Sequence, residues 1–237
     1  MKSTHKKIAA AEHTRHAQIC RAAAALFCER GYDATSMDDI AKAVGITKAG
    51  VYHFVPGGKQ ALLYAVMSFG LDRLETEVIT PARAIADAEA RLHAIIRHHV
   101  RIITEGATTH GFNPITIVVD ETGGLNKWQR RQIDRRKRAY VDLLRTTLAQ
   151  LKTEGKLRAL DETVAAFSML GTVLWVARWY EPGGRLQPEQ IAEEILSLAL
   201  GGLLHAAPQT AVSTAKPRTN GRGARLEPAH LPTTFSP

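Results

Sequence analysis

Residues 25–66 read ALFCERGYDATSMDDIAKAVGITKAGVYHFVPGGKQALLYAV. The stretch begins inside a helix that carries one apolar stripe, formed by Ile19, Ala23, Leu26 and Phe27. Such a stripe predicts a helix that packs inward along one face. Gly31 is a good C-terminal stop for this first helix, because glycine adopts the left-handed conformation that often follows a helix.

Two short helices and a long one are predicted after this stop. Ser36, with Asp39 three positions later, indicates an N-cap with a variant of the capping box, and Gly45 ends the first short helix. Thr47 caps the second short helix, KAGVYHF, which stops where Val55, Pro56, Gly57 and Gly58 block continuation and permit a reversal. A long helix is expected to follow, from about Lys59 to Ile79.

Two short helices joined by a glycine-containing turn are typical of a DNA-binding helix-turn-helix, although an ordinary helical hairpin has the same pattern. The small core between them is predicted to comprise Ile40, Ala41, Val44, Ile46, Val51 and Phe54. The side chains expected to face outward, within reach of the major groove, are Thr47, Lys48, Ala49, Tyr52 and His53. The second short helix is therefore the predicted recognition helix.

The outward-facing residue types suit different contacts. Lys48 can donate to guanine O6 or N7 or to phosphate, Thr47 can donate to phosphate or to a base edge, and Ala49 can pack on a thymine methyl group. Gly50 allows close approach to another backbone, either DNA or the first short helix. The polar tips of Tyr52 and His53 can bond phosphates.

In order, spacing and residue type, residues 25–66 resemble the DNA-binding domain of TetR-family regulators. The resemblance implies that Thr47, Lys48, Gly50, Tyr52 and His53 contact DNA. It also implies that Thr35 and Lys59 lie on flanking phosphates, and Ser36 and Ala49 complete the candidate set. Most family members have a shorter connection with a serine N-cap where this chain has residues 55–58, so the placement of Lys59 stays open.

Composition favours an anionic partner. The formal net charge of the chain is +8 at pH 7, and nucleic acid ranks ahead of acidic lipid as its target. Both cysteines, Cys20 and Cys28, fall in one amphipathic segment, which predicts free thiols in a reducing cytoplasm. Since neither a signal peptide nor a long uncharged apolar run is evident, we expect a soluble cytoplasmic protein without membrane contact.

Helical spacing of the apolar residues predicts an all-α fold. We divide the chain into a basic flexible arm at 1–13, a helix-turn-helix domain at 14–58, a connecting helix at 59–80, a ligand-binding and dimerisation domain at 81–206, and a disordered tail at 207–237. Pro81 marks the start of the second domain. Its helices are expected at about 83–105, 114–120, 126–154, 162–180 and 188–205. Whether arm or tail contacts DNA is left open.

Two helices of the second domain carry more apolar surface than one neighbour can cover. Residues 164–180 are apolar on nearly every face, and residues 191–204 carry a broad stripe that includes Ile191, Ile195 and Leu198. A monomeric core could bury both. The TetR resemblance instead implies a homodimer in which these helices form a four-helix bundle with those of the partner.

The same resemblance implies an effector pocket among residues 83–180. Its candidate aromatic residues are Phe112, Trp128, Tyr140, Phe167, Trp175 and Trp179, each of which could instead fill core. The run KWQRRQIDRRKR at 127–138 places seven cations and one acid on a helix with an apolar side, so Arg131 and Arg135 are candidates to hold an anionic head group. Residues 177–192, ARWYEPGGRLQPEQIA, resemble TetR-family repressors of lipid or steroid breakdown that respond to CoA thioesters. An acyl-CoA-type effector is therefore expected.

These features together predict a repressor released from a palindromic DNA operator by its effector. An activator is the alternative, because the sign of regulation depends on operator position. An enzyme is disfavoured: His93, His98 and His99 have no HExxH spacing and are expected to be solvated, and neither a phosphate-binding glycine loop nor a serine nucleophile motif is evident. We expect no cofactor and no metal.

Overall fold

The computed structural model describes residues 2–105 and 123–203, with side chains for residues 14–105 and 123–202. The regular elements of these ranges are helices: α1 (Lys2–Arg30), α2 (Met37–Val44), α3 (Lys48–Phe54), α4 (Gly58–Leu74), a π-helical turn (Glu75–Ile79), α5 (Thr80–Arg83), α6 (Ala88–Glu105), α7 (Lys127–Thr153), α8 (Glu162–Trp179) and α9 (Pro188–Leu203). The all-α prediction is confirmed. The helix expected at 114–120, Phe112 and the tail at 207–237 lie outside the described residues.

Helix α1 begins earlier than the sequence pattern indicates. The backbone is helical from Lys2, whereas a flexible arm was expected over residues 1–13. Residues 2–13 contain neither glycine nor proline and are rich in alanine and lysine, which have high helix propensity. The continuation of α1 through this segment is therefore consistent with its composition.

The first three helices and the start of α4 share one core. Helix α1 packs against α2, α3 and α4, and the most deeply buried side chains include Ile19, Ile40, Val51, Leu62 and Met67. The core predicted between the two short helices is confirmed. Ile40, Ala41 and Val51 are buried, and Val44, Ile46 and Phe54 pack against them.

The connecting helix is interrupted but not ended near Pro81. After Leu74 the chain makes a π-helical turn at Glu75–Ile79 and continues as α5. Pro81 lies in the first turn of α5, where a missing backbone N–H and a fixed φ are tolerated. Arg83 and Arg73 form ion pairs with Glu75 and Glu77 across this turn.

Helix α6 is the centre of the second domain, since it packs against α7, α8 and α9. Its buried face includes Leu92, Ile96 and Val100, which follow each other at helical spacing. Helix α8 buries one face, with Met169 and Val173, against this core. Its other face is exposed and is described below.

The remaining features of the described residues concern reactive cysteines, membrane-spanning helices and metal-binding clusters. Cys20 is buried and its pKa is raised by that burial, Cys28 is partly buried, and neither forms a disulfide within the described part of the chain. Within the described ranges, no helix combines the length and hydrophobicity required to cross a bilayer. The described side chains likewise contain no cluster of three or more His, Cys, Asp or Glu residues that could hold a metal ion.

Candidate functional site

The turn between α2 and α3 is fixed by local hydrogen bonds. The Ser36 hydroxyl oxygen accepts from the Asp39 N–H, and the Asp39 carboxylate accepts from the Ser36 N–H at 2.9 Å, which completes the predicted capping box. The Ser36 hydroxyl also donates to the Asp39 carboxylate, and this bond, together with the one from the Ser36 N–H, lowers the pKa of Asp39. Gly45 has φ +70° and its N–H donates to Lys42 and Ala41 carbonyls, so the turn uses a conformation that glycine adopts without strain.

Helix α3 presents the predicted side chains to solvent. Val51 faces the core, whereas Lys48, Ala49, Tyr52 and His53 are exposed, with 41% of the Tyr52 surface accessible. The outward orientation predicted for the recognition helix is confirmed.

Thr47 and Gly50 interact within α3 itself. Thr47 Oγ1 caps the helix by accepting from the Gly50 N–H at 3.1 Å. A Cβ at Gly50 would lie 3.3 Å from that oxygen, and its next neighbours belong to Ile46. Gly50 therefore leaves room for the cap, and close approach to the backbone of α2, one of the two explanations that we considered, is not observed.

Lys48 is held by a neighbouring carboxylate. Its Nζ lies 2.7 Å from Asp38 Oδ2, and both side chains are about half exposed. This hydrogen bond raises the pKa of Lys48. The cation is thus positioned at the surface of α3, but part of its charge is already balanced by α2.

Thr35 and Lys59 are more engaged with the protein than expected. Thr35 is buried, and its hydroxyl donates to the Gly31 carbonyl at 2.9 Å. The Lys59 Nζ donates to the Tyr32 and Asp33 carbonyls at 3.0 and 3.2 Å and lies 4.5 Å from the centre of the Tyr32 ring. Both residues brace the turn between α1 and α2, whereas Ser36 is exposed.

The second domain contains an apolar cavity of about 350 Å³. Its walls come from the end of α4 and from α6, α7 and α8, and they comprise Leu71, Leu74, His99, Lys137, Tyr140, Val141, Phe167, Leu170, Gly171 and Leu174. This volume falls at the small end of the range of about 300–1,000 Å³ for ligand pockets. The cavity can therefore hold a compact apolar group.

One polar pair lies on the cavity wall. Tyr140 Oη and His99 Nδ1 are 2.8 Å apart, and both side chains are buried. Burial lowers the pKa of His99 to about 4 and raises the pKa of Tyr140. At neutral pH both groups are consequently uncharged.

His99 corrects an expectation from the sequence, which treated it as solvated. Only 2% of its surface is accessible. The signal was present, because His99 continues the stripe of Leu92, Ile95 and Ile96 and precedes Ile102 at helical spacing. His93 and His98 are partly buried at other angles of the same helix.

The cavity contains two of the predicted ligand residues, Tyr140 and Phe167. Trp128, Trp175 and Trp179 are not among the lining residues, and they are 60%, 65% and 49% exposed. Periodicity could not show this, because aromatic residues on an apolar helix can face either core or surface. Phe112 lies outside the described residues.

The predicted cations also lie away from the cavity. Arg131 and Arg135 are exposed, and the Arg135 guanidinium donates to Gln132 at 2.6 Å. Among the basic residues of α7, Lys137 lines the cavity instead. Arg136 lies 2.7 Å from Asp72 and so connects α7 to α4.

An apolar stripe covers the outer face of α8. Val164, Phe167, Trp175 and Trp179 are each about half exposed or more, and they recur at helical spacing. Leu198 of α9 is 76% exposed. Gly171 lies exposed on the same stripe, between Phe167 and Trp175, and both Phe167 and Gly171 also line the cavity.

A capped helix-turn-helix with an exposed second helix, joined by α4 to an apolar cavity, defines a class: DNA-binding transcription regulators with a small-molecule site. The family model for "Bacterial regulatory proteins, tetR family" matches residues 19–66, and that for "Tetracyclin repressor-like, C-terminal domain" matches residues 86–203. The chain belongs to the TetR family. It is a transcription regulator and not an enzyme.

Several relatives span most of the chain. The HTH-type transcriptional repressor KstR2 of Mycobacterium tuberculosis (strain ATCC 25618 / H37Rv) is 26% identical over 207 residues, which cover 83% of this chain and 96% of that protein. The crystal structure of AibR in complex with isovaleryl coenzyme A and operator DNA has 40% sequence identity and a TM-score of 0.69, and covers 78% of this chain and 97% of that one.

A named activator matches a shorter part of the chain. The HTH-type transcriptional activator FasR of Mycolicibacterium smegmatis (strain ATCC 700084 / mc(2)155) is 36% identical over 83 residues, which cover 35% of this chain and 37% of that protein. The chain therefore resembles repressors over most of its length and this activator over about a third of it.

Proposed function

We propose that this chain is a homodimeric repressor whose affinity for its operator falls when an acyl-CoA thioester inserts its acyl group into the cavity. The observation that carries the proposal is the position of α4. Its first part packs in the helix-turn-helix core through Leu62 and Met67, and its end forms cavity wall through Leu71 and Leu74. A group that displaces the end of α4 therefore acts on a helix that also packs in the helix-turn-helix core.

The effector class is supported by the cavity and by a relative. AibR, at 40% identity, has been crystallised with isovaleryl coenzyme A and operator DNA. The apolar walls suit a short or branched acyl group, and the volume is too small for the nucleotide part of CoA as well. We expect the nucleotide to lie outside, where cations of α7 can meet its phosphates.

The DNA contact is assigned to α3. Lys48, Thr47 and Ala49 are the proposed groove residues, and Tyr52 and His53 the proposed phosphate contacts. Gly50 adds no side chain to this surface, which allows the α3 backbone to come close to DNA. Ser36 offers an exposed hydroxyl at the start of α2. Thr35 and Lys59 are proposed to support the contact indirectly, because both brace the turn before α2.

Dimerisation is assigned to the exposed stripe of α8 together with α9. An apolar stripe of this extent is typical of an interaction surface, and TetR-family regulators are dimers. A second copy of this chain is therefore the proposed occupant, which would place two α3 helices on successive major grooves of one operator. This function implies a cytoplasmic protein.

Repression is proposed over activation because the relatives that match about four-fifths of the chain are named repressors. The activator match spans 35% of it. A reporter fused to the bound promoter separates the two: deletion of the gene for this protein raises expression under a repressor and lowers it under an activator.

The effector is tested by fluorescence anisotropy with DNA from upstream of the chain's own gene. We expect specific binding that isovaleryl-CoA weakens and free CoA does not. A Val141→Trp variant, which fills the cavity, should bind DNA but lose the response, whereas Ala149→Trp, at an exposed position of the same helix, should keep it. Specific DNA binding that no acyl-CoA alters would refute the effector class.

A further inference from the structure

The His99–Tyr140 pair is the uncharged polar part of the cavity wall, which also contains Lys137 and otherwise apolar residues. The bond from Tyr140 is the sole hydrogen bond of the His99 ring within the described part of the chain, and the 2.8 Å distance leaves no space for a bridging water. Leu71, Leu74, Leu170 and Leu174 supply hydrocarbon on neighbouring helices. The pair thus combines two buried polar groups with a single bond between them.

The pair has one more hydrogen-bond donor than the bond between its two side chains can use. A neutral imidazole carries one N–H and a phenol carries one O–H, so the pair holds two polar hydrogens. One of them makes the bond between the two side chains. If Tyr140 donates, the His99 Nε2–H remains; if His99 donates, the Tyr140 O–H remains. In either tautomer, one donor is left without an acceptor from this pair.

We infer that the His99–Tyr140 pair donates a hydrogen bond to a carbonyl oxygen of the effector, and thereby selects carbonyl-bearing ligands over hydrocarbon ones of the same shape. The inference rests on the proposed function for the identity of the ligand, an acyl thioester. The carbonyl can be that of the thioester itself or one placed deeper in the acyl group, since both offer the same acceptor.

The size of the preference follows from the cost of leaving a buried donor without a partner. A ligand without the oxygen occupies the cavity but leaves the donor unsatisfied, so it should bind roughly ten- to a hundredfold more weakly. Uncharged donors that a bound ligand shields from water give discrimination of this kind, because the wrong ligand offers no replacement acceptor.

The test compares CoA compounds by isothermal titration calorimetry with the full-length protein. Isovaleryl-CoA is paired with S-(3-methylbutyl)-CoA, a thioether in which CH₂ replaces the carbonyl. A third compound, S-(4-methyl-2-oxopentyl)-CoA, restores a carbonyl one carbon further from the sulfur. We expect the thioether to bind ten- to a hundredfold more weakly than the thioester, and recovery with the ketone would show that a deeper carbonyl also serves.

The matched variant removes both polar groups together, as His99→Leu/Tyr140→Phe. Replacing both partners of a buried hydrogen bond by apolar groups of similar shape is nearly neutral for stability, so this variant should fold, as circular dichroism can verify. In it the thioester and the thioether should bind equally. Equal binding of the thioester, the thioether and the ketone by the wild type, or an undiminished preference for a carbonyl in the double variant, would overturn the inference.

Failure of the double variant to fold and failure of the wild type to bind CoA compounds have different consequences for the inference and for the proposed effector. If the double variant does not fold, the comparison of the CoA compounds on the wild type still tests whether the cavity prefers a ligand with a carbonyl. If no CoA compound binds the wild type, the proposed effector is wrong, and thermal shifts with cyclohexanone and methylenecyclohexane then test the pair alone. A larger shift with the ketone supports the donor, and equal shifts overturn it.

Discussion

Lys48, a proposed DNA contact, already has a partner in the free protein. In the free protein its ammonium group lies 2.7 Å from the Asp38 carboxylate, both at the surface. A phosphate or a guanine edge must compete with that carboxylate. The ion pair therefore orients the cation in advance but weakens its attraction to DNA.

Substitutions at these two positions should have opposite effects. Lys48→Met should weaken operator binding and, if Lys48 meets a phosphate, lower the slope of log K against log salt by about 1. Asp38→Asn should strengthen binding, because the lysine is released and a negative charge near DNA is lost. Anisotropy titrations at several salt concentrations measure both.

Lys152→Met is the control for net charge, since Lys152 lies on α7 and pairs with Glu162. It should leave the salt slope unchanged. An equal loss with Lys152→Met would attribute the effect to overall charge and not to α3.

His99 should make stability depend on pH below neutrality. Its pKa is about 6.5 in the unfolded chain and about 4 in the folded one, because burial disfavours the imidazolium. Between these values the unfolded state binds a proton that the folded state does not. The free energy of unfolding should therefore decrease as pH falls from about 6.5 to about 4, by roughly 3 kcal/mol from this residue.

Urea denaturation of the wild type and of His99→Leu/Tyr140→Phe across this pH range isolates the contribution. Carboxylates titrate in both proteins, so the difference between the two curves reports His99. If the free energies of unfolding of the two proteins change with pH in parallel, His99 binds a proton in the folded wild type as readily as in the unfolded chain.

Helix α8 has two apolar faces with different roles. Met169 and Val173 are buried in the core, while Val164 and Trp175 are 65% exposed on the opposite side. A solvated monomer gains nothing from the second face. The proposed dimer would cover this face with a partner subunit.

Trp175→Glu should disrupt the dimer, because a carboxylate at the contact loses water without gaining a partner. We expect dimerisation to weaken on the order of a hundredfold, as at interface hot spots. Light scattering after size exclusion measures it. Ala149→Glu, at an exposed position of α7, should remain dimeric, and a dimeric Trp175→Glu would assign the stripe another role.

The helices differ in how far the sequence predicts them. Caps and turn residues such as Ser36, Gly45 and Thr47 act through local hydrogen bonds, so they predicted α2 and α3 closely. The π-helical turn was not predicted, because the residues from Glu75 to Ile79 carry no breaker. Helical periodicity did not show that Trp175 faces outward or that Lys59 reaches the Tyr32 carbonyl, since both depend on contacts distant in sequence.

The two domains also make contact beside Tyr32 and the first half of α4. The segment before α7 approaches the turn between α1 and α2 so closely that a Cβ at Gly124 would lie 2.6 Å from Tyr32 Cε1 and 2.8 Å from Leu63 Cδ2. The Tyr32 ring is itself packed against Phe27 and covered by the Lys59 ammonium group. Glycine at 124 is therefore needed for the close contact.

Gly124→Ala should force the domains apart locally. We expect the protein to lose about 1–3 kcal/mol of stability, as for overpacking, with Tm lower by several degrees. Thermal denaturation measures this. Gly201→Ala, where nothing lies within 4 Å of the added methyl, is the control and should not lower Tm, since alanine is favoured over glycine in a helix. An unchanged Tm for Gly124→Ala would show that the segment before α7 can shift to accommodate the methyl group without loss of stability.

Phe167 and Gly171 belong both to the cavity wall and to the exposed stripe of α8. If a second subunit covers that stripe, it also seals one side of the cavity, and an occupied cavity then favours association by the same factor by which association favours occupancy. The effector concentration that half-saturates the protein would therefore depend on how many copies the cell contains. A scarce protein would need a higher effector concentration, and an abundant one would be saturated at a lower concentration.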